Sequence, residues 1–333
     1  MKKLTAVVLV GLMALTLGAC GSKGGKDSGK KEVKVGLAIY KYDDPFMTNY
    51  RTELESYLKE RGTKDGVTYK LTSMDGKNDQ GEQQNQIDNF IADKVDVLIA
   101  NLVEPANAKI TLDKAKKADI PVVFINREPS KADVTSSDKV AYVGAKAQQS
   151  GEYQGEMIAE LENKGDYNKD GKLNYVMIVG DPQNIDAKQR TEFSIKKYQE
   201  MVPGTPVEKL LEQRGDWDQA KGQEIAAAAL TQFGEKIDVI FANNDNMAIG
   251  ALQAIKAAGR TVGKDIALVG VDALDEAQKL VQSGEMTGTV LNDAINQSHT
   301  AVDTAIKLVN KEKLSDNYAW VNYVKVNGAY FKK

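Results

Sequence analysis

Val33-Lys34-Val35-Gly36-Leu37-Ala38-Ile39-Tyr40 is a short apolar-rich run, and it is followed at 46–58 by a segment of helical period. A strand and then a helix is the direct reading. The same couplet recurs down the chain. Apolar runs at 69–72, 95–100, 121–125, 175–179 and 239–242 are separated by amphipathic stretches at 83–92, 107–117, 148–161, 187–200, 219–233 and 247–258. Alternation of this kind builds parallel sheets covered by helices on both faces. Between Tyr142 and Gln148 the pattern restarts, so the expected fold is α/β, with two similar doubly wound parallel-sheet domains. A strand at 287–291, a helix at 294–309 and a final strand near 321–326 are expected to cross between the halves. The domains expected are 33–144 plus 293–322 and 145–292 plus 323–333.

The 333 residues suit two domains better than one, and 42% hydrophobic with 27% charged residues is an ordinary globular balance. A net charge of −3, with no basic stripe interleaved with aromatics, argues against nucleic-acid binding.

The first residues form a separate unit. Lys2 and Lys3 precede an apolar run at 4–17 and then Gly18-Ala19-Cys20, the pattern of an export signal over 1–19. The run is shorter than the roughly 20 residues that span a bilayer. Leu17-Gly18-Ala19-Cys20 resembles a bacterial lipobox, and Cys20 is the only cysteine, so lipidation is its expected fate. Residues 21–31 carry no apolar side chain, and 20–32 reads as a flexible tether to a lipid anchor facing outside the cytoplasm.

Ligands of open α/β sheets bind beyond the carboxyl ends of the strands. Those loops hold no dinucleotide fingerprint, phosphate loop, nucleophile elbow or zinc-protease motif. The single histidine, His299, sits in a helical stretch and reads as a surface or packing residue, so no enzyme is expected. What the loops do carry is Asp44, Phe46, Asn126, Asp186, Arg190, Trp217, Asn244, Asp272 and Asn292. Planar polar groups beside aromatic rings suit a polyhydroxylated ligand, whose hydroxyls donate and accept and whose C–H faces pack on rings. Taken singly, Asp44, Asp272 and Asn292 read as helix caps, Arg190 as a solvated charge and Trp217 as a staple or core residue. Their joint occurrence at strand ends favours a binding site.

One loop stands apart. Asp166-Tyr167-Asn168-Lys169-Asp170-Gly171-Lys172-Leu173-Asn174 places oxygen donors at alternate positions around a glycine, as in the first nine positions of an EF-hand calcium loop. The position of the final bidentate glutamate is Met177, inside an apolar run, so a distant carboxylate must complete a Ca2+ site.

Ile39 to Phe46 (Ile-Tyr-Lys-Tyr-Asp-Asp-Pro-Phe), Asn101 to Pro105, Ala242-Asn243-Asn244-Asp245, Gly270-Val271-Asp272-Ala273 and Thr289 to Asp293, with the loop just described, resemble the galactose/glucose-binding proteins of bacterial sugar ABC transporters. The resemblance runs from Val35 to the C-terminus. It implies a clamp of two domains with a ligand cleft between them, joined by a three-segment hinge near 144–146, 291–294 and 321–327. Phe46 and Trp217 would sandwich a galactose or glucose ring, Asp44 would receive the 4-hydroxyl and Asn126 would reach the hydroxymethyl end. Asp186 and Arg190 would hold the anomeric end, with Asn244, Asp272 and Asn292 sharing the 2- and 3-hydroxyls. Asn184 stands where the family usually has a histidine near the hydroxymethyl group. Calcium would be held by Asp166, Asn168, Asp170, the Lys172 carbonyl, Asn174 and Asp238, with Asp238 in place of the family's glutamate. The partner implied is a membrane permease served by a monomeric lipoprotein. A chemoreceptor or sensor as recipient, and xylose as ligand, are the alternatives; a transcriptional regulator is not, because no DNA-binding unit precedes Val33.

Overall fold

The computed structural model describes residues 32–332. The export segment, Cys20 and the tether up to residue 31 lie outside the described residues. In the first half the chain runs β1 (Glu32–Ile39), α1 (Pro45–Asp65), β2 (Thr68–Asp75), α2 (Gln80–Ala92), β3 (Val97–Ala100), α3 (Ala108–Lys117), β4 (Val122–Ile125), α4 (Lys131–Val134) and β5 (Val140–Gly144). The second half runs α5 (Ala147–Ala159), β6 (Leu173–Val179), α6 (Ile185–Met201), β7 (Val207–Arg214), α7 (Gln219–Phe233), β8 (Val239–Ala242), α8 (Asp245–Ala257), β9 (Ala267–Val269), α9 (Asp275–Ser283) and β10 (Gly288–Leu291). It closes with α10 (Ala294–Val309), β11 (Tyr318–Trp320) and β12 (Val324–Asn327).

Two six-stranded sheets result, in the orders β11-β5-β4-β3-β1-β2 and β12-β10-β9-β8-β6-β7. All pairings are parallel except β10 with β12. The interior strands β3, β4, β6 and β8 are buried along their whole length, as strands covered on both faces must be. By contrast the edge strand β2 alternates exposed and half-buried residues. On β1 the two-residue period sorts side chains by face. Val33, Val35, Leu37 and Ile39 pack with Tyr50, Leu54 and Val302 of α1 and α10, while Ala38 joins Ile87 and Phe90 of α2. Leu37 is fully buried, and Leu37→Ala is expected to cost about 2–5 kcal/mol through lost transfer energy and the cavity left behind.

The chain passes from one sheet to the other between β5 and α5, between β10 and α10, and between β11 and β12. Helix α10 follows a strand of the second sheet but packs on α1 of the first domain. The single strand expected near 321–326 is corrected to two: β11 extends the first sheet, β12 the second, and the crossing falls between them. Leu173 to Val179, continuously buried, forms β6 and carries Met177 into the core. His299 packs between α10 and α1, stacked on Tyr57 (ring centroids 3.8 Å) with Nε2 2.6 Å from Glu53 Oε1.

Candidate functional site: a polar cleft between the two sheets

All ten residues expected to meet a ligand line one narrow cleft. Asp44 and Asn126 come from the loops after β1 and β4 and Phe46 from the first turn of α1; Asn184, Asp186, Arg190, Trp217, Asn244, Asp272 and Asn292 come from the second domain. Tyr40 and Arg127 line it as well, and sequence reasoning missed both. Their signal was adjacency: Tyr40 directly follows the first strand and Arg127 follows Asn126. They form one unit, with the Arg127 guanidinium 3.5 Å from the Tyr40 ring centroid and Arg127 Nη1 donating to Val103 O at 2.7 Å.

Local structure aims each side chain. Asp44 is the N-cap of α1, its Oδ1 accepting from Met47 N–H at 2.9 Å, while Tyr40 Oη donates to Oδ2. Asn184 Oδ1 accepts from Asp186 N–H (2.8 Å) and caps α6; Asn244 Oδ1 accepts from Met247 N–H (3.0 Å) and caps α8. The cap readings of Asp272 and Asn292 are corrected. Leu274 and Asp293 occupy those N-cap positions, and Asn292 Nδ2 donates instead to Asp272 Oδ1 across the strand ends at 3.2 Å. Nor is Arg190 a solvated charge: it is buried, donating from Nη1 to Asn243 O (2.8 Å) and from Nη2 to Tyr323 Oη (3.0 Å).

Three cleft residues hold left-handed backbone: Asn126 (φ 59°), Trp217 (φ 64°) and Asp272 (φ 120°). Each such conformation costs on the order of 1–3 kcal/mol and clusters at functional sites. Two buried donors, Arg190 Nε and Trp217 Nε1, have no acceptor within the protein. An unsatisfied buried donor costs about 1–3 kcal/mol, so both suit a ligand that brings oxygen acceptors.

Burial pushes the Asp186 carboxyl above its ordinary range despite Arg190 and Arg127 nearby. It pushes Asp272 well above; Arg190 opposes this, whereas Asp245 and Asp44 add to it. For Arg190, burial alone would lower the value, but Tyr323, Asp272 and Asp186 hold the guanidinium charged. His299 does not line the cleft.

Within the second domain, Asp166, Asp170 and Asp238 each present a carboxylate oxygen within 4.8 Å of the others. Asp238 is fully buried and already occupied: Oδ1 accepts from Tyr167 and Asn168 N–H (2.9 and 3.0 Å), Oδ2 from Asn174 N–H and Nδ2 (2.8 and 3.0 Å). Burial raises its carboxyl despite these bonds. The Asn174 amide also donates to Asp170 Oδ2 (2.9 Å), and its Oδ1 is buried without a partner. A bound cation would require that amide to turn over, giving up the two hydrogen bonds its Nδ2 makes, so that the orphaned oxygen faces the carboxylates. The donor set is then all oxygen, which fits a hard cation such as Ca2+ rather than zinc.

Among the described residues no helix is long and apolar enough to cross a membrane. A family model described as a periplasmic binding protein domain matches residues 35–313. The chain is 37% identical over 324 residues to the D-galactose/methyl-galactoside binding periplasmic protein MglB of Haemophilus influenzae, covering 96% of this chain and 93% of that one. It is 35% identical to a putative rhizopine-binding protein of Rhizobium meliloti, covering 84% and 85%. Among solved structures it is similar to an ABC transporter solute binding protein from Bacillus halodurans with bound myo-inositol (TM-score 0.79, 27% identity, 92% and 98% covered). With two parallel sheets and a family match over most of its length, the chain belongs to the periplasmic binding protein family.

Proposed function

We propose that this protein binds a monosaccharide, D-galactose or D-glucose, between its two domains and delivers it to the permease of an ABC transporter. The observation that carries the reading is a cleft lined from both domains by carboxylates, amides, two arginines and three aromatic rings, with two buried N–H donors lacking protein acceptors. The galactose relative supports the choice of sugar.

A pyranose hydroxyl donates and accepts at once, so Asp44, Asp186 and Asp272 accept hydrogen bonds from it while Arg190, Asn126, Asn244 and Asn292 supply N–H groups. Phe46 and Trp217 pack against its apolar faces. A ligand touching both domains binds the closed arrangement better than the open one and shifts the population towards it. Closure about a hinge is the motion known for periplasmic binding proteins. The closed form is the one the permease receives. Asp166, Asn168, Asp170, Lys172 O, Asn174 and Asp238 would hold Ca2+ as a structural ion, cross-linking the loop before β6 to the start of β8. Cys20 would carry the lipid that keeps the exported protein at its membrane.

Titration calorimetry with D-galactose, D-glucose, D-xylose, D-ribose and myo-inositol tests the assignment. Tightest binding of galactose or glucose is expected. A preference for ribose or the cyclitol would overturn the choice of sugar while keeping the clamp.

A further inference from the structure

Three of the segments that pick out this chain contain a residue that lines the cleft and another that does not. In Ala242-Asn243-Asn244-Asp245, Asn244 lines it; in Gly270-Val271-Asp272-Ala273, Asp272 does; in Thr289 to Asn292, Asn292 does. Ligand contact leaves Asp245, Gly270 and Thr289 unexplained. The three meet one another behind the cleft wall.

Asp245 is fully buried in the first turn of α8. Its Oδ1 accepts from Thr289 Oγ1 at 2.6 Å, and its Oδ2 from Leu274 N–H at 2.9 Å. Thr289 Oγ1 in turn accepts from Ala273 N–H at 3.2 Å, and Asp245 N–H donates to Val271 O at 2.7 Å. Residue 270 must be glycine here, because a Cβ would lie 2.2 Å from Asp245 Oδ1. Every amide from Ala273 to Leu274 is thereby tied to one carboxylate or to the hydroxyl it holds. That stretch is also where the backbone is least at ease, with Asp272 at φ 120° and Ala273 at φ 51°.

We infer that Asp245 is a positioning residue: with Thr289 it forms a lock that holds the strained turn after β9, and so sets Asp272, Asn244 and Asn292 in register as one wall of the binding cleft. The lock joins the segments that follow β8 and β9 to Thr289 of β10, three residues before Asn292. A left-handed turn relaxes when its amides lose their acceptors. Asp272 would then lose its 3.2 Å contact with Asn292, without any change in the residues that touch the sugar. The link to ligand affinity rests on the monosaccharide reading above; the lock itself does not.

The test has two arms on the full chain. In the first, amide hydrogen exchange is compared in native protein, Asp245→Asn and Thr289→Val without sugar. Protection at Ala273 and Leu274 is expected to fall at least about tenfold in both variants while β6 and β8 keep theirs. Unchanged protection at those two amides overturns the lock. In the second, D-galactose and D-glucose are titrated. Both variants are expected to bind about tenfold or more weakly, the double variant no worse than the poorer single, and Thr289→Ser, which keeps the hydroxyl, within about threefold of native. Loss of melting temperature with native affinity would reduce Asp245 to a structural residue. Native protein that binds neither sugar removes the ligand assignment and leaves the exchange arm to decide the lock.

Discussion

The indole of Trp217 lies where a side chain on residue 180 would be: a Cβ built on Gly180 comes within 2.3 Å of Trp217 Cη2 and Cζ2. Gly180 directly follows β6, its N–H donating to Asn243 Oδ1 at 3.0 Å, and Trp217 holds φ 64° after β7. Two loops are thus shaped around the placement of one ring. That ring has its own N–H unpaired and its face beside Arg190, 5.8 Å from the guanidinium carbon.

Gly180→Ala is therefore expected to displace the indole and weaken hexose binding by roughly tenfold, and Trp217→Ala by well over tenfold, with both proteins folded. Calorimetry with D-galactose gives the affinities and circular dichroism the fold. Native affinity in Trp217→Ala would remove the stacking role.

How much of this was legible depended on whether the deciding contacts were local. β4 and β8 are continuous apolar runs, β1 and β6 are apolar over most of their length, and the helices Gln219–Phe233 and Ala294–Val309 show clear amphipathic period, so each was legible in the sequence. β7 is an edge strand, Val-Glu-Lys-Leu-Leu-Glu-Gln-Arg, whose half-exposed face takes charges and hides the strand signal. In the site, Asp44 does cap its helix, so there the local reading and the cleft coexist, whereas the caps made by Asn184 and Asn244 were not read from the sequence. Asp272 and Asn292 looked like caps too, because nothing local reveals that two strand ends meet at 3.2 Å. The stack of Arg127 on Tyr40 is hidden for the same reason.

For the metal loop, chelation is expected to lower the melting temperature by roughly 5–10 °C if the ion is held near a hundredfold above its dissociation constant. Asp170→Asn should abolish that response at little cost in the chelated protein, since Asp170 is exposed. Asp238→Ala should destabilise even the chelated protein, by about 3 kcal/mol or more, because Tyr167, Asn168 and Asn174 N–H lose their acceptor. Scanning calorimetry with and without chelator reads all three. Equal chelator responses in native protein and Asp170→Asn would exclude the site.

Burial raises the Asp245 carboxyl from 3.8 to about 6, with Thr289, Leu274 and Arg190 opposing the shift. The native state then holds this proton more tightly than the unfolded chain. The group's contribution to stability is complete below the ordinary carboxylate value and is lost as pH rises through about 6. Asp245→Asn removes this dependence. Relative to native protein, its stability should rise by on the order of 2–3 kcal/mol between about pH 4 and pH 7, on top of a constant offset from altered hydrogen bonds. Urea unfolding at intervals across that range measures the difference; a flat one would mean that Asp245 does not titrate there.

Asn184 combines two duties that substitution can separate. Its Oδ1 caps α6 through Asp186 N–H at 2.8 Å, while its Nδ2 is uncommitted and the residue lines the cleft. Asn184→Ser keeps a capping oxygen but withdraws the amide, so stability should stay within about 0.5 kcal/mol of native while hexose affinity falls several-fold. Asn184→Ala gives up both and should lose about 1 kcal/mol of stability as well. Urea unfolding and calorimetry on the two variants separate the duties. Full affinity in Asn184→Ser would make the residue a cap that merely borders the cleft, and the ring's hydroxymethyl end would then depend on Asn126 alone.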